Sequence, residues 1–183
     1  MADFNIYSIE DAPEASKPVL ESIKKRYGFV PNLLGGMAES NAALTSYMEL
    51  TKKLSESTLT AAEQQVLFLA ISYENKCAYC MAAHTAGGKR AELADEVIES
   101  LRAGSSLNDS KLSALANFAQ KMFNKRGWVD QEEIDDFLGA GYTKSNVFDV
   151  IVALAAKTLS NYTNHIIDTP VDDSISKFKW DKT

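Results

Sequence analysis

Residues 60–84, TAAEQQVLFLAISYENKCAYCMAAH, hold the signals that decide the fold. Thr60 is an N-cap candidate with Glu63 three residues on, the capping-box pattern that opens a helix. The run behind it, through Val66, Leu67, Leu69, Ala70 and Ile71, is strongly apolar. Asn75 can cap a second helix, which puts Cys77 in its first turn and carries the chain toward Gly87-Gly88, where the glycines end it.

Outward from this pair the chain reads as helices joined by short loops. Pro13 and Pro18 open a helical pattern through Val19, Leu20 and Ile23 toward Tyr27, stopped by Gly28. Gly28-Phe-Val-Pro-Asn32 is extended, because Pro31 pushes Val30 out of the α region. Gly35-Gly36 breaks a short turn, and a helix follows from about Asn41 to Leu54. Further helices are expected at about Glu92 to Leu101, Ser110 to Lys125 and Gln131 to Leu138. Thr143 or Ser145 begins the last long one, which passes Val147, Ile151, Leu154, Leu159 and Tyr162. Nothing alternates with period two, and no hairpin signal occurs. The expected fold class is all-α. The weakest joint lies near Gly104 to Asp109, with both halves expected to share one core, so residues 1–183 read as a single domain.

At 183 residues and 20.1 kDa the chain is long enough to bury an apolar core without metal or disulfide staples. Lys and Arg number 19 against 25 Asp and Glu, a net charge of −6. That balance lacks the basic excess of a nucleic-acid binder. Met1 to Glu10 has no secretory pattern. The longest strictly apolar run, Val150 to Ala156, is far short of the ~20 residues of a membrane helix. The reading is a cytoplasmic protein with neither nucleic acid nor membrane as partner.

The two cysteines, Cys77 and Cys80, form one C-x-x-C. A disulfide across so small a loop stabilises a fold by about 2 kcal/mol at most, a poor staple. The paired motif points instead to redox chemistry or metal. At ~100° per residue, Cys80 lies about 60° and His84 about 20° from Cys77 around a helix, while Tyr79 points elsewhere. Helix dipole, neighbouring thiol and imidazole all favour a thiolate. A thiol of pKa ~8.5 is about 3% ionised at pH 7; lowering it to ~6 makes it roughly 90% thiolate, for about 3.4 kcal/mol. Such a thiolate beside a second thiol can attack a peroxide, become a sulfenic acid and be resolved to a disulfide that an external reductant reopens. Two other readings stand beside this one. Zinc needs a fourth ligand, which only His165 could add to Cys77, Cys80 and His84. Both cysteines could also be plain core residues. No nucleotide motif occurs, so no cofactor is expected, and the ligand count argues against metal.

These residues carry a family resemblance. Leu59-Thr-Ala-Ala-Glu63 and Tyr73 through His84 resemble the core of the AhpD-like alkylhydroperoxidases of the carboxymuconolactone decarboxylase superfamily. Gly28-Phe-Val-Pro-Asn32, Ser160-Asn-Tyr-Thr-Asn-His165 and Thr169-Pro-Val-Asp172 resemble its peroxidase-related branch. The resemblance implies an all-helical homo-oligomer, commonly a trimer or hexamer, that reduces hydrogen peroxide or organic hydroperoxides with an external dithiol or disulfide-reductase partner. It implies that Cys80 becomes the sulfenic acid, that Cys77 is proton donor and resolving thiol, and that His84 serves the proton relay. Those enzymes carry a relay glutamate twelve positions before the first cysteine, where this chain has Gln65. Glu63 lies about 200° away around that helix, divided between a relay role from a shifted helix and the capping box. They also have a histidine where this chain has Tyr79, and a phenol is a poor base.

Glu74 complements a helix dipole or orients His84. His165, in a polar patch with Asn161 and Asn164, reads as structural or as a site residue. The expected function is thiol-dependent peroxide reduction by Cys77, Cys80, His84 and Glu63. The alternatives are a non-catalytic redox sensor and a decarboxylase-like enzyme acting on another substrate.

Overall fold

A computed structural model describes residues 4–181. Among them are nine α-helices and no strand: α1 (Lys17–Tyr27), α2 (Asn32–Met37), α3 (Asn41–Ser55), α4 (Ala61–Glu74), α5 (Ala78–Arg90), α6 (Asp95–Ala103), α7 (Ser110–Asn124), α8 (Gln131–Gly139) and α9 (Lys144–Ile167), then a 3-10 turn at Asp173–Phe178. The expected all-α class is what the structure has.

The helix starts follow from capping chemistry. Thr60 with Glu63, Asp130 with Glu133 and Thr143 with Asn146 each form a capping box, which satisfies the N-cap and N3 N–H groups at the starts of α4, α8 and α9. Gly28 ends α1 at φ 85°, in the left-handed region that favours glycine. The glycine pairs behave otherwise than expected. Gly35 and Gly36 lie inside α2, where a side chain on Gly36 would meet Ile167 of α9. Gly87 and Gly88 do not end α5, which continues to Arg90; Gly87 instead lets Gln65 approach the helix backbone.

α4 is buried all round from Val66 to Ser72, which is why its apolar residues show no single stripe. α5, α6, α7 and α9 pack around it. One apolar cluster gathers α4, α6, α7, α8 and α9 with Trp180; a second gathers α1, α2 and α3 around Cys77, Tyr79 and Cys80. Met81 belongs to the first cluster, so the start of α5 lies at the seam between the two.

The Gly28–Asn32 segment is held by the C-terminal stretch. Asp172 accepts the Asn32 N–H (2.9 Å) and the Tyr79 hydroxyl (2.5 Å), while Asn32 Nδ2 donates to the Pro170 carbonyl (3.0 Å). Further on, Trp180 Nε1 donates to the Arg102 carbonyl at 2.8 Å, and Arg102 donates to the carbonyls of Phe178 and Lys179. Tyr79 does point away from the thiols, as its angle requires, and acts as a strut between α5 and this strap. Removing its hydroxyl leaves a buried carboxylate oxygen of Asp172 short of a donor, which costs about 1–3 kcal/mol. Tyr79→Phe is therefore expected to lower the denaturation free energy by that amount and to speed proteolysis within residues 169–180. Unchanged stability and protease resistance would show that the strap does not depend on this bond.

Candidate active site

The site begins at a chain reversal. Lys76 adopts φ 54°, and the N–H groups of Lys76 and Cys77 donate back to the carbonyls of Tyr73 and Ser72 (3.0 and 3.1 Å). This closes α4 with a Schellman-type turn. Cys77 is then the N-cap of α5, one residue outside the helix rather than in its first turn, with Asn75 closing α4 instead of capping α5. Cys80 sits at the third helical position, near the positive end of the helix dipole. Both cysteines are 1% exposed.

α9 supplies the opposite wall. Lys157, Ser160, Asn161 and Asn164 fall at i, i+3, i+4 and i+7 and are all buried, a polar stripe on the inner face of an apolar helix. The Asn164 amide donates to Cys80 Sγ at 3.1 Å and reaches Cys77 Sγ at 3.6 Å. Lys157 Nζ donates to His84 Nε2 at 2.8 Å. His84 Nδ1 lies 3.1 Å from Gln65 Oε1, and its ring stacks on Phe68 with centroids 4.6 Å apart. An ammonium only donates, so Nε2 is the acceptor and the proton sits on Nδ1, which donates to Gln65. The tautomer of His84 is fixed by its two neighbours.

Electrostatics separate the two thiols. For Cys80, burial opposes ionisation, but hydrogen bonds from Cys77, Lys157 and Ser160 and the Lys157 charge outweigh it and bring the thiol down to about 5. Donating to Cys80 pushes Cys77 the other way, and burial adds to the rise, so Cys77 stays a thiol. His84 is held well below the usual imidazole range by burial, then by the Lys157 and Arg90 charges. It is neutral near pH 7. Burial and the neighbouring Cys80 likewise keep Tyr47 a neutral phenol.

The structure thus brings Cys77, Cys80 and His84 together and leaves Glu63 out. The Glu63 carboxylate accepts from Thr60, from Tyr142 at 3.2 Å and from Lys111 at 2.9 Å. Burial raises its pKa, yet the hydrogen bonds from Lys111 and Thr60 hold the carboxyl below its ordinary range. Its capping role wins because the box fixes the side chain at the helix start. The residue that reaches His84 is Gln65. Glu74 accepts from Gln120 and Asn124 of α7, and His165 is exposed on α9. Lys157, Ser160 and Asn164 were not singled out from sequence as chemistry. The available signal was the lone charge that ends the apolar run Val150 to Ala156, in helical register with Ser160, Asn161 and Asn164.

Residues 38–121 match the carboxymuconolactone decarboxylase family. No curated protein matches the sequence. Among solved structures, a peroxidase-related protein with an alkylhydroperoxidase AhpD core from Ralstonia eutropha JMP134 superposes with TM-score 0.82 at 20% identity, covering 94% of this chain and 93% of its own. A peroxidase-related protein from Silicibacter sp. TM1040 gives 0.80 at 19%, covering 97% and 95%. A cysteine-to-alanine variant of the debrominase Bmp8 in complex with 2,3,4-tribromopyrrole gives 0.77 at 16%, covering 97% and 96%. The likeness to these three is one of fold.

A thiol whose pKa is lower folded than unfolded stabilises the fold above the unfolded value and ceases to do so as pH falls through the folded one. The reduced protein's denaturation free energy, taken relative to Cys80→Ser, is expected to climb from pH about 5 to the ordinary thiol range near ~8.5 and to level off above it. A pH-independent difference would mean that Cys80 carries no thiolate. Residues 38–121 thus carry the family match, and the described residues share the fold of these proteins, with the paired cysteines at the start of α5.

Proposed function

We propose that the protein is a thiol-dependent peroxidase in which Cys80 attacks hydrogen peroxide or an organic hydroperoxide and Cys77 resolves the sulfenic acid to a disulfide. The observation that carries this reading is the division of labour between the sulfurs. Cys80 is held as an anion by Lys157 and the Asn164 amide, while Cys77 keeps its proton and donates to it. A nucleophile with a resolving thiol beside it is what a dithiol cycle needs.

The polar lining favours a small oxygen-bearing substrate. Both amide atoms of Asn161 and the Oδ1 of Asn164 are buried with no hydrogen-bond partner among the described residues. Buried amides of this kind serve a ligand that both donates and accepts, as a hydroperoxide does. An external dithiol closes the cycle. No helix among the described residues is long and apolar enough to cross a membrane, and the reading keeps a cytoplasmic location. Phe148, Ile151, Tyr162 and Ile166 are exposed along α9, which supports a homo-oligomer of the trimer or hexamer kind. The debrominase fold match supports a second electron acceptor, a brominated pyrrole reduced by the same dithiol.

Reduced protein is expected to consume hydroperoxide for many turnovers with a dithiol reductant. Cys80→Ser should be inactive, and Cys77→Ser should stop after one equivalent with a trapped sulfenic acid. A single stoichiometric loss of both thiols without turnover would make the motif a redox sensor. Bromide release from tribromopyrrole without peroxide turnover would move the activity to dehalogenation.

A further inference from the structure

Lys157 is 1% exposed, and among the described residues no carboxylate lies within ion-pairing distance of its Nζ. A buried ammonium without an anion is costly, by several kcal/mol. Its neighbours are the Nε2 of His84 and the face of Phe68 with the ring centroid 5.6 Å away, and on the same buried stripe of α9, seven residues on, Asn164 donates to the Cys80 sulfur, whose thiol the Lys157 charge pulls down. Of these only the sulfur can carry a negative charge. The titratable or charged groups facing the pair are Cys77 at the N-cap of α5, Tyr79, His84 and Arg90 from α5 and Tyr47 from α3, and none of them is an anion near neutrality. His84 cannot pass a proton onward either, because its Nδ1–H ends on the amide oxygen of Gln65, which is no base.

We propose that Lys157 is the catalytic cation of this site: its ammonium is the counter-ion of the Cys80 thiolate and gives a proton to the oxygen that the thiolate displaces, while His84 aims it. The step rests on the peroxidase reading and balances as follows. The thiolate attacks the terminal oxygen of the hydroperoxide; an S–O bond forms, the O–O bond breaks, and sulfur is oxidised by two electrons as the peroxide is reduced. The expelled alkoxide or hydroxide takes a proton from Lys157 and leaves as alcohol or water. Cys77 then attacks the Cys80 sulfur, the S–S bond forms, and the hydroxyl departs as water with the Cys77 proton. Lys157 is left as a neutral amine beside a neutral disulfide. An external dithiol returns two electrons and two protons, restoring the Cys77 thiol and the ammonium–thiolate pair.

Lys157→Met and Lys157→Arg separate the two roles, since guanidinium keeps the charge but does not give up a proton. Two readouts are used on the reduced protein: thiolate absorbance against pH, and single-turnover oxidation of Cys80 followed by mass. Lys157→Met is expected to move the thiolate step upward by two pH units or more from about 5. Lys157→Arg should keep the step low yet oxidise about 100-fold more slowly with tert-butyl hydroperoxide, the scale of a lost general acid. With peracetic acid, whose acetate leaves without a proton, Lys157→Arg should stay near wild type. An unmoved thiolate step in Lys157→Met, or an equal loss with both oxidants in Lys157→Arg, overturns the proposal. If neither variant folds, the wild type decides: its oxidation rate should depend only weakly on leaving-group acidity across hydroperoxides and peracids, and a steep dependence overturns the proposal. Single-turnover oxidation needs no reductant, so a failure of turnover, which would sink the peroxidase reading, is told apart from a failure of Lys157.

Discussion

A lysine ammonium enclosed by helices has to be neutralised where it lies, and that constraint organises the centre of this protein. Lys157 faces an imidazole nitrogen, an aromatic ring and a sulfur, with no carboxylate among the described residues to share the charge. Desolvation acts against both ions of a buried pair and is offset only by close contact and further hydrogen bonds. The Asn164 amide and the Cys77 thiol supply those bonds on the sulfur side. His84 supplies one on the nitrogen side. Cys77, His84 and Tyr47 add no other anion beside the pair, and its strength depends on water staying out.

Holding that geometry is the task of the scaffold. The Schellman-type turn at Lys76 reverses the chain within a few residues and delivers Cys77 as a helix cap, so the two sulfurs share one end of α5. α4 underlies the turn and carries Gln65 and Phe68 to His84. α9 brings the ammonium and the amide from the far end of the sequence. The strap at residues 169–180 then ties α5 to α2 and α6 through Asp172, Arg102 and Trp180. Site precision thus comes from helices fixed by caps and buried struts rather than from loops.

Local signals made much of this readable in the sequence. Capping residues located α4 and α9, helical periodicity placed Cys77, Cys80 and His84 on one face, and the absence of alternation excluded strands. What stayed hidden needed tertiary contact. The glycine pairs read as breakers because isolated helices disfavour glycine, but in α2 and α5 close packing against Ile167 and Gln65 overrides that preference. Glu63 had two local readings, and only the partners Lys111 and Tyr142 decide between them. Lys157 lies 77 positions beyond Cys80 in sequence, so no spacing could join it to the thiols. A charge set into an apolar helix in register with Ser160, Asn161 and Asn164 was the one available sign.

The same constraint explains Gln65, which at first reads as a defect against the glutamate expected twelve positions before the first cysteine. A carboxylate there would sit behind His84 and draw a proton onto the imidazole, making a second ion pair one ring away from Lys157. The ammonium would then divide its attraction between Cys80 and that carboxylate, and the thiolate would lose stabilisation. An amide accepts the Nδ1–H bond without adding charge. It therefore fixes the histidine tautomer whose Nε2 lone pair receives Lys157, and it adds no anion to compete with Cys80 for the ammonium. Gly87 belongs to this arrangement as well, because any side chain at that position would strike the amide oxygen that makes the bond. Gly87, Gln65 and His84 are thus one chain of neutral contacts, each setting the next, that ends on the Lys157 ammonium and the thiolate.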